Sequence, residues 1–124
     1  MTHTVVIADD DADISQLVTL AVNKAGLTVA AVAADGAEAL EAIRTHHPDL
    51  AILDIAMPEM SGVDVCRAVR ADSSIGDVRI VLLSASVEEQ AIEVGINAGA
   101  DYFFMKPFSP RDLVAWLAVG KEAR

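Results

Sequence analysis

Short apolar runs alternate with stretches of helical periodicity five times along the chain. The apolar runs cover residues 4–8, 27–33, 50–53, 78–83 and 101–105. Alternation in this order favours a parallel sheet with helices packed on both faces. The run at 50–53 is apolar throughout, which is typical of a strand covered on both faces, so we expect it at the centre of the sheet.

The first helix has the clearest periodicity and is predicted over about residues 12–25. Its apolar positions recur at i, i+3 and i+4 spacing, and they are Ile14, Leu17, Val18, Ala21, Val22 and Ala25. Gly26 follows, at the position where a glycine in the left-handed conformation ends a helix. The second helix is predicted from near Ala37 to before Pro48. Its inward-facing residues are Ala39, Leu40 and Ile43.

Three further helices are predicted, over residues 62–70, over residues 87–98 and from Pro110 onward. Gly95 lies inside the fourth helix and costs about 1 kcal/mol relative to alanine, so this helix is a candidate for motion. Ser109 precedes Pro110 as the N-cap of the fifth helix. The residues expected to be buried from that helix are Leu113, Trp116 and Leu117.

Polar residues follow four of the five predicted strands. They are Asp9 and Asp10 after the first, Asp54 after the third, Ser84 after the fourth and Lys106 after the fifth. Open α/β sheets bind ligands outside the carboxyl ends of their strands, so these side chains are expected to converge at one edge. Carboxylates, a hydroxyl and an ammonium together suit a divalent cation and a phosphoryl group.

Length and charge narrow the possible functions. At 124 residues the chain has the size of one domain, and 53% of its residues are hydrophobic. Nine basic residues against nineteen acidic ones give a formal net charge of −10. Such a chain repels a phosphate backbone, so nucleic-acid binding by this chain alone is not expected.

The cellular compartment is suggested by the cysteine count and the N-terminal sequence. Cys66 is the single cysteine, which excludes an internal disulfide and fits a reducing compartment. The first eight residues lack a basic segment and run directly into Asp9 and Asp10, so we predict neither a signal peptide nor a membrane span. A cytoplasmic location is the resulting expectation.

The motifs taken together resemble the receiver domain of two-component response regulators. They are Asp9-Asp10, Asp54 with Met57-Pro58 and Gly62, Ser84-Ala85, Gly99-Ala-Asp, and Lys106-Pro107-Phe108. The resemblance covers the whole chain, so residues 1–124 are expected to form one receiver domain. It implies a flavodoxin-like, doubly wound (βα)5 fold with a five-stranded parallel sheet of order 2-1-3-4-5. It also implies a phosphoacceptor regulatory domain rather than an enzyme with a separate substrate.

The resemblance assigns a role to each polar residue. Asp54 is the expected phosphoacceptor, taking a phosphoryl group from the phosphohistidine of a sensor histidine kinase or phosphotransfer protein. Magnesium is the expected cofactor, bound by Asp10, Asp54 and the backbone carbonyl of Ala56, with Asp9 acting largely through water. Unit charges ~4 Å apart repel by about 4 kcal/mol at an effective dielectric near 20, so clustered carboxylates need a cation. Lys106 and Ser84 are expected to contact the phosphoryl oxygens.

A conformational switch is also implied by the resemblance. Movement of Ser84 toward the phosphate is expected to couple to inward rotation of Phe103, creating a partner surface on the fourth helix, fifth strand and fifth helix. An output domain, an output protein or a second copy of the chain could bind there. The Lys106-Pro107 peptide bond is expected to be cis. Phe103 lacks the hydroxyl of the tyrosine often found there, and Ala56 and Ser86 occupy positions that influence the lifetime of the phosphorylated state.

Several residues also have simpler explanations. Asp11 and Asp13 are expected to cap the first helix and complement its dipole. Asp9 and Asp10 taken alone could serve either the helix or a metal ion, and Asp54 and Lys106 favour the metal ion. A calcium loop is excluded because Ile14 and Leu20 stand where a glycine and a glutamate are required. Taken singly, Ser84 could cap the next helix, and Lys106 could be an exposed basic residue. Phe103 could simply belong to the core, as most aromatic residues in strands do. Six further residues are expected to have structural roles only, and they are His46, His47, Cys66, Val69, Met57 and Met60.

Three other functions compete with the signalling interpretation. A magnesium-dependent phosphohydrolase would use the acidic segment at residues 11–15, but this leaves Asp54 unexplained. A degenerate receiver would act as a docking module without phosphorylation, although all the key polar residues are present. A flavin-binding protein would need a phosphate-binding loop after the first strand, where the acidic residues repel the anion.

Overall fold

Five parallel strands form one sheet in the order β2-β1-β3-β4-β5, which confirms the predicted topology. The computed structural model describes residues 3–85 and 89–122. The strands are β1 (Thr4–Ala8), β2 (Thr28–Ala33), β3 (Leu50–Asp54), β4 (Arg79–Ser84) and β5 (Tyr102–Met105). The helices between and after them are α1 (Ala12–Lys24), α2 (Gly36–His46), α3 (Gly62–Ala71), α4 (Glu89–Asn97) and α5 (Pro110–Glu122). The predicted start of α4, at residue 87, lies outside the described residues.

Two hydrophobic cores cover the two faces of the sheet. Alternate residues of β1 point to opposite faces, so Val6 packs with α2 and α3 while Val5 packs with α1 and α5. Every residue of β3 is buried, as expected for the central strand. Burial on both faces therefore holds the end of β3, and with it Asp54, in a fixed position.

Side chains cap the helices that begin near the carboxyl edge of the sheet. Asp11 is the N-cap of α1 and accepts a hydrogen bond from the Asp13 N–H at 2.9 Å, which confirms its predicted role. Ser61 and Asp64 form a capping box at the start of α3. Ser109 Oγ accepts a hydrogen bond from the Asp112 N–H at 3.3 Å, as predicted. These caps fix the loops that surround the ends of the strands.

One prediction about burial was wrong, and one apolar position of the first helix lies at the surface. Leu17 fits the helical spacing but is 36% exposed and lines the groove between α1 and α5. Trp116 was expected to be buried from α5 but is half-buried. Its ring stacks on Tyr102 with centroids 5.0 Å apart and carries the Arg79 guanidinium above it. Cys66 and Val69 are buried from α3 as predicted.

Residues in the left-handed backbone conformation stand just past the ends of α1, α2 and α4. After α4 this residue is Gly99, with φ 106°. Gly26 has φ 83° directly after α1, which confirms its predicted role at that helix end. His47 ends α2 with φ 45°, an uncommon conformation for a residue with a side chain. Within residues 3–85 and 89–122, no helix has the length and apolar character needed to cross a membrane.

Candidate functional site

Three carboxylates from two neighbouring strands meet at the carboxyl edge of the sheet. Asp9 and Asp10 directly follow β1, and Asp54 is the last residue of β3. Because β1 pairs with β3 and Ala8 lies beside Leu53, the three side chains emerge together. One oxygen from each carboxylate lies within 4.8 Å of the others, so the set can hold one metal ion.

Lys106 brings a positive charge between two of these carboxylates. Its Nζ lies 3.0 Å from Asp9 Oδ2 and 3.1 Å from Asp54 Oδ1. Its backbone N–H donates to the Ser84 carbonyl at 2.7 Å, which continues the pairing of β5 with β4. The Lys106-Pro107 peptide bond is cis. The ammonium therefore lies beside the predicted acceptor, although the two residues are far apart in the sequence.

Burial and neighbouring charges shift the pKa values of this pair. Burial, and then the nearby charge of Asp9, raise the pKa of Asp54 above its usual value, while Lys106 and the Ala56 N–H act in the opposite direction. Burial acts to lower the pKa of Lys106, but its hydrogen bonds to Asp9 and Asp54 outweigh this and raise it. Lys106 is therefore held as a cation at neutral pH.

The three carboxylates differ in the access that they give to a metal ion. Asp9 is buried, with Oδ1 accepting from the Asp11 N–H at 2.9 Å and Oδ2 facing Lys106. Asp10 is exposed to solvent. Both Asp9 oxygens are thus already hydrogen-bonded, which suits the expectation that this residue acts through water. Three carboxylates against one ammonium leave an excess of negative charge, and their oxygens are the ligands that Mg²⁺ prefers.

Ser84 lies one residue past the strand partner of Asp54, whereas Phe103 lies on the adjacent strand and contacts the core and α4. Ser84 is buried at the end of β4, one residue past Leu83, which pairs with Asp54. Phe103 is half-buried and packs into the core on the α2 and α3 side of the sheet. Its ring lies directly against Gly95 of α4, where an added Cβ would lie 2.9 Å from the ring atom Cε1. The structure thus places the two predicted switch residues on adjacent strands.

Two residues that contact the site were not singled out from the sequence. Ser15 is buried in α1 and its Oγ donates to the backbone oxygen of Asp9 at 3.3 Å. Gly36 begins α2 and packs against the loop that follows Asp54. Gly36 immediately precedes the predicted start of the second helix, so its contact with this loop had no signal in the sequence.

The comparison with protein families agrees with this geometry. The family model described as "Response regulator receiver domain" matches residues 5–118. The chain belongs to this family. Receiver domains are regulatory domains rather than enzymes with a separate substrate, so the phosphohydrolase alternative is not favoured. The capping role of Asp11 also accounts for the acidic segment on which that alternative depended.

Similar proteins include regulators of transcription. The DNA-binding response regulator MtrA of Mycobacterium tuberculosis is 41% identical over 115 residues, which is 93% of this chain and 49% of MtrA. The transcriptional regulatory protein CseB of Streptomyces avermitilis is 39% identical over 114 residues, which is 92% of this chain and 46% of CseB. The chain therefore spans about half the length of these curated relatives.

Solved receiver structures share the fold. The receiver domain of the putative response regulator NarL from Mycobacterium tuberculosis has a TM-score of 0.90 at 33% identity, covering 99% of this chain and 98% of that one. The chemotaxis protein CheY4 of Vibrio cholerae has a TM-score of 0.86 at 32% identity, covering 94% of this chain and 97% of that one. These similarities confirm the flavodoxin-like fold.

Proposed function

We propose that Asp54 accepts a phosphoryl group from a phosphohistidine in a Mg²⁺-dependent reaction. The observation that carries this proposal is the position of Lys106 Nζ, 3.1 Å from Asp54 Oδ1 and 3.0 Å from Asp9 Oδ2, beside the carboxylate cluster. Phosphoryl transfer requires mainly positioning and charge neutralisation, and this arrangement supplies both. Asp10 and the Ala56 carbonyl complete the proposed ligand set with Asp54, and Asp9 acts through water.

The proposed reaction is a single displacement at phosphorus. An oxygen of the Asp54 carboxylate forms a bond to phosphorus while the P–N bond of the donor breaks. The electron pair of that bond returns to the imidazole, which takes a proton from water. Bound Mg²⁺ would neutralise charge on the phosphoryl oxygens. Lys106 contacts one of those oxygens through its ammonium, and the Ser84 hydroxyl donates a hydrogen bond to another.

Phosphorylation is proposed to change which partners bind the α4-β5-α5 face. The phosphoryl group favours one of two existing conformations through its contact with Ser84, and Phe103 follows this movement. The face already exposes apolar side chains, including Val94, Ile96 and Tyr102. An output domain, an output protein or a second copy of the chain would bind there. The DNA-binding relatives favour an output in transcription.

The phosphohistidine donor is proposed to dock on α1 beside the carboxylates. A groove of about 320 Å³ at Asp9 and Asp10 continues into a second groove of about 370 Å³, and both are lined by Ser15, Gln16 and Val32. Leu20 lies in the second groove and is 60% exposed. Leu20→Glu is expected to slow phosphorylation by the donor protein while leaving phosphorylation by acetyl phosphate unchanged. Equal slowing with both donors would contradict this docking site.

Labelling with a small-molecule phosphodonor tests the phosphoacceptor proposal. Incubation with acetyl phosphate and MgCl₂ is expected to add the mass of one phosphoryl group, and Asp54→Asn is expected to abolish this gain. Asp13→Asn is the matched control because Asp13 is exposed in the first turn of α1. Absence of label in the natural sequence would favour the docking-module alternative. Repeated hydrolysis that survives Asp54→Asn would restore the phosphohydrolase.

The proposed location follows from the proposed donor. Sensor kinases present their phosphohistidine in the cytoplasm, and the buried free thiol of Cys66 suits a reducing compartment. We therefore place the reaction in the cytoplasm. Fractionation of cells that produce the protein at its natural level tests this location.

A further inference from the structure

The first residue of α2 is packed against the loop that follows the proposed acceptor. Gly36 is buried, and its N–H donates to the Pro58 carbonyl at 3.3 Å. An added Cβ at Gly36 would lie 2.6 Å from the carbonyl carbon of Met60 and still closer to its oxygen. Real Cβ atoms do not approach a backbone this closely, so a side chain at Gly36 would displace the loop, the helix or both.

The requirement for glycine here is steric and not conformational. The φ of Gly36 lies outside the left-handed region that favours glycine, in contrast to Gly26, Gly76 and Gly99. Gly36 is the first residue of α2, and helix propensity does not favour glycine over alanine at a helical position. The residue type at Gly36 is therefore explained by the space that the Asp54 loop needs.

The loop that Gly36 contacts is tied closely to Asp54. The Ile55 N–H donates to Leu83 at 3.0 Å, and the Gly62 N–H closes the loop onto the Ile55 carbonyl at 2.9 Å. Ala56 lies between these two hydrogen bonds, two residues after Asp54. Because the loop is short and hydrogen-bonded at both ends, we expect a displacement at Met60 to reach the backbone at Ala56.

We infer that Gly36 is a positioning residue for the acceptor site: its missing side chain lets α2 hold the 55–61 loop where the Ala56 carbonyl can serve the proposed metal site. This inference rests on the proposed phosphoacceptor function, because it concerns the same carboxylate and the same metal ligands. Gly36 itself contacts neither the phosphoryl group nor the metal ion. Its effect passes through the backbone of the loop.

The variant Gly36→Ala tests the inference through three measurements. In the metal-free protein, the Gly62 amide, which donates to the Ile55 carbonyl at 2.9 Å, is expected to exchange its hydrogen faster than in the natural sequence. The dissociation constant for Mg²⁺, measured by calorimetry, is expected to rise by about tenfold or more, as for other residues that orient metal ligands. The rate of labelling by acetyl phosphate at saturating Mg²⁺ is expected to fall by a similar factor.

Gly76→Ala is the matched control for a loss of stability. Gly76 has φ 78° and no atom within 4 Å of an added Cβ, so alanine there strains the backbone far from the carboxylates. At temperatures where both variants have lost the same stability, Gly76→Ala is expected to keep the natural Mg²⁺ affinity and the natural exchange rate of the Gly62 amide. A similar loss in both variants would overturn the inference, since it would then reflect general destabilisation.

A second variant keeps the test decisive if Gly36→Ala does not fold. Glu59 has φ 68°, so Glu59→Gly relieves backbone strain and lets the loop yield to a methyl group at position 36. The double variant combines Gly36→Ala with Glu59→Gly. If it folds and binds Mg²⁺ more weakly than Glu59→Gly alone, the inference is supported. Equal Mg²⁺ binding and labelling overturn it while the proposed function stands. Failure of the natural sequence to be labelled at Asp54 would instead count against the proposed function.

Discussion

The charge balance of the site depends on Lys106. The Asp9 side chain is fully buried and that of Asp54 is 7% exposed, and the ammonium contacts both. Two buried carboxylates without this cation would repel one another in a poorly solvated environment. Lys106 therefore contributes to the stability of the metal-free protein as well as to the proposed reaction.

Replacing Lys106 with methionine tests this contribution. Lys106→Met is expected to lower the free energy of unfolding by about 2 kcal/mol at pH 7 without Mg²⁺, because it leaves the buried carboxylates uncompensated. Urea unfolding followed by Trp116 fluorescence measures the change. Lys24→Met, at an exposed position in the last turn of α1, is the control and is expected to cost less than about 0.5 kcal/mol. Equal losses in the two variants would contradict a specific role for Lys106.

The pH dependence of stability is expected to reveal the raised pKa of Asp54. Burial and then the charge of Asp9 raise this pKa in the folded protein, so the folded state holds the proton more tightly than the unfolded state. The contribution of Asp54 to stability is therefore present below the ordinary carboxyl pKa and is lost as pH rises through the folded value. Asp54→Asn is expected to raise the melting temperature at pH 7 without Mg²⁺, since Lys106 keeps its contact with Asp9.

Melting curves between pH 3 and pH 7 check the direction of this pH dependence. The melting temperature of Asp54→Asn is expected to rise above that of the natural sequence by a margin that grows with pH. Added Mg²⁺ should reverse this difference, because only the natural sequence gains the full binding energy. Asp13→Asn is expected to show neither effect. An advantage that shrinks toward neutral pH would contradict the assigned cause.

One side chain, that of Arg70, ties the last turn of α3 to the loop between α4 and β5 and to the residue before β4. Arg70 donates to the Gly99 carbonyl at 3.0 Å, to the Val78 carbonyl at 2.6 Å and to Asp101 Oδ2 at 2.9 Å. The same Asp101 oxygen accepts from the Ile80 N–H at 2.8 Å. Gly99, with φ 106°, also leaves room for the Arg70 side chain to lie across it. Arg70 thus fixes the point where α4 ends and β5 begins.

The loss of these contacts is expected to be costly. Arg70→Ala removes three donors, including the one bonded to the part-buried Val78 carbonyl, so it is expected to lower the free energy of unfolding by about 2 kcal/mol. Arg67→Ala is the control on the same helix, since Arg67 is 56% exposed and makes a single 3.7 Å ion pair with Asp64. Its expected cost is below about 0.5 kcal/mol. Chemical denaturation of both variants measures the difference, and similar midpoints would contradict the role of Arg70.

The elements themselves could be predicted from the sequence, whereas their tertiary contacts could not. Apolar runs and helical spacing located every strand and helix, because burial on a sheet face or a helix stripe leaves a periodic pattern. Asp9, Asp10, Asp54 and Lys106 were predictable because strand ends share one edge of the sheet. The contacts of Arg70 and Gly36 leave no periodic signal. The partial exposure of Leu17 and Trp116 depends on how α1 and α5 lie beside their neighbours, which periodicity does not fix.

The net acidic charge of the protein and its carboxylate cluster both destabilise the folded state through charge repulsion. The chain carries a formal net charge of −10, and its carboxylate cluster holds three of the acidic residues. Like charges repel within a folded protein, and added salt screens this repulsion for exposed groups. Any salt is therefore expected to stabilise the protein somewhat. A divalent cation should stabilise it further by binding at the cluster.

Melting temperatures in MgCl₂ and NaCl of equal ionic strength separate these two effects. Ligand binding at 100 times the dissociation constant stabilises a folded protein by about 2.7 kcal/mol, which for a domain of this size corresponds to roughly 10 °C. We expect the melting temperature in MgCl₂ to exceed that in NaCl by nearly this amount. This excess in melting temperature should fall sharply in Asp10→Asn, which removes the exposed carboxylate of the cluster. Asp77→Asn, at an exposed position before β4, is expected to leave the excess unchanged because only general screening acts there. An excess that is the same in both variants would mean that Mg²⁺ binds elsewhere, and the assignment of the cluster as the metal site would then be wrong.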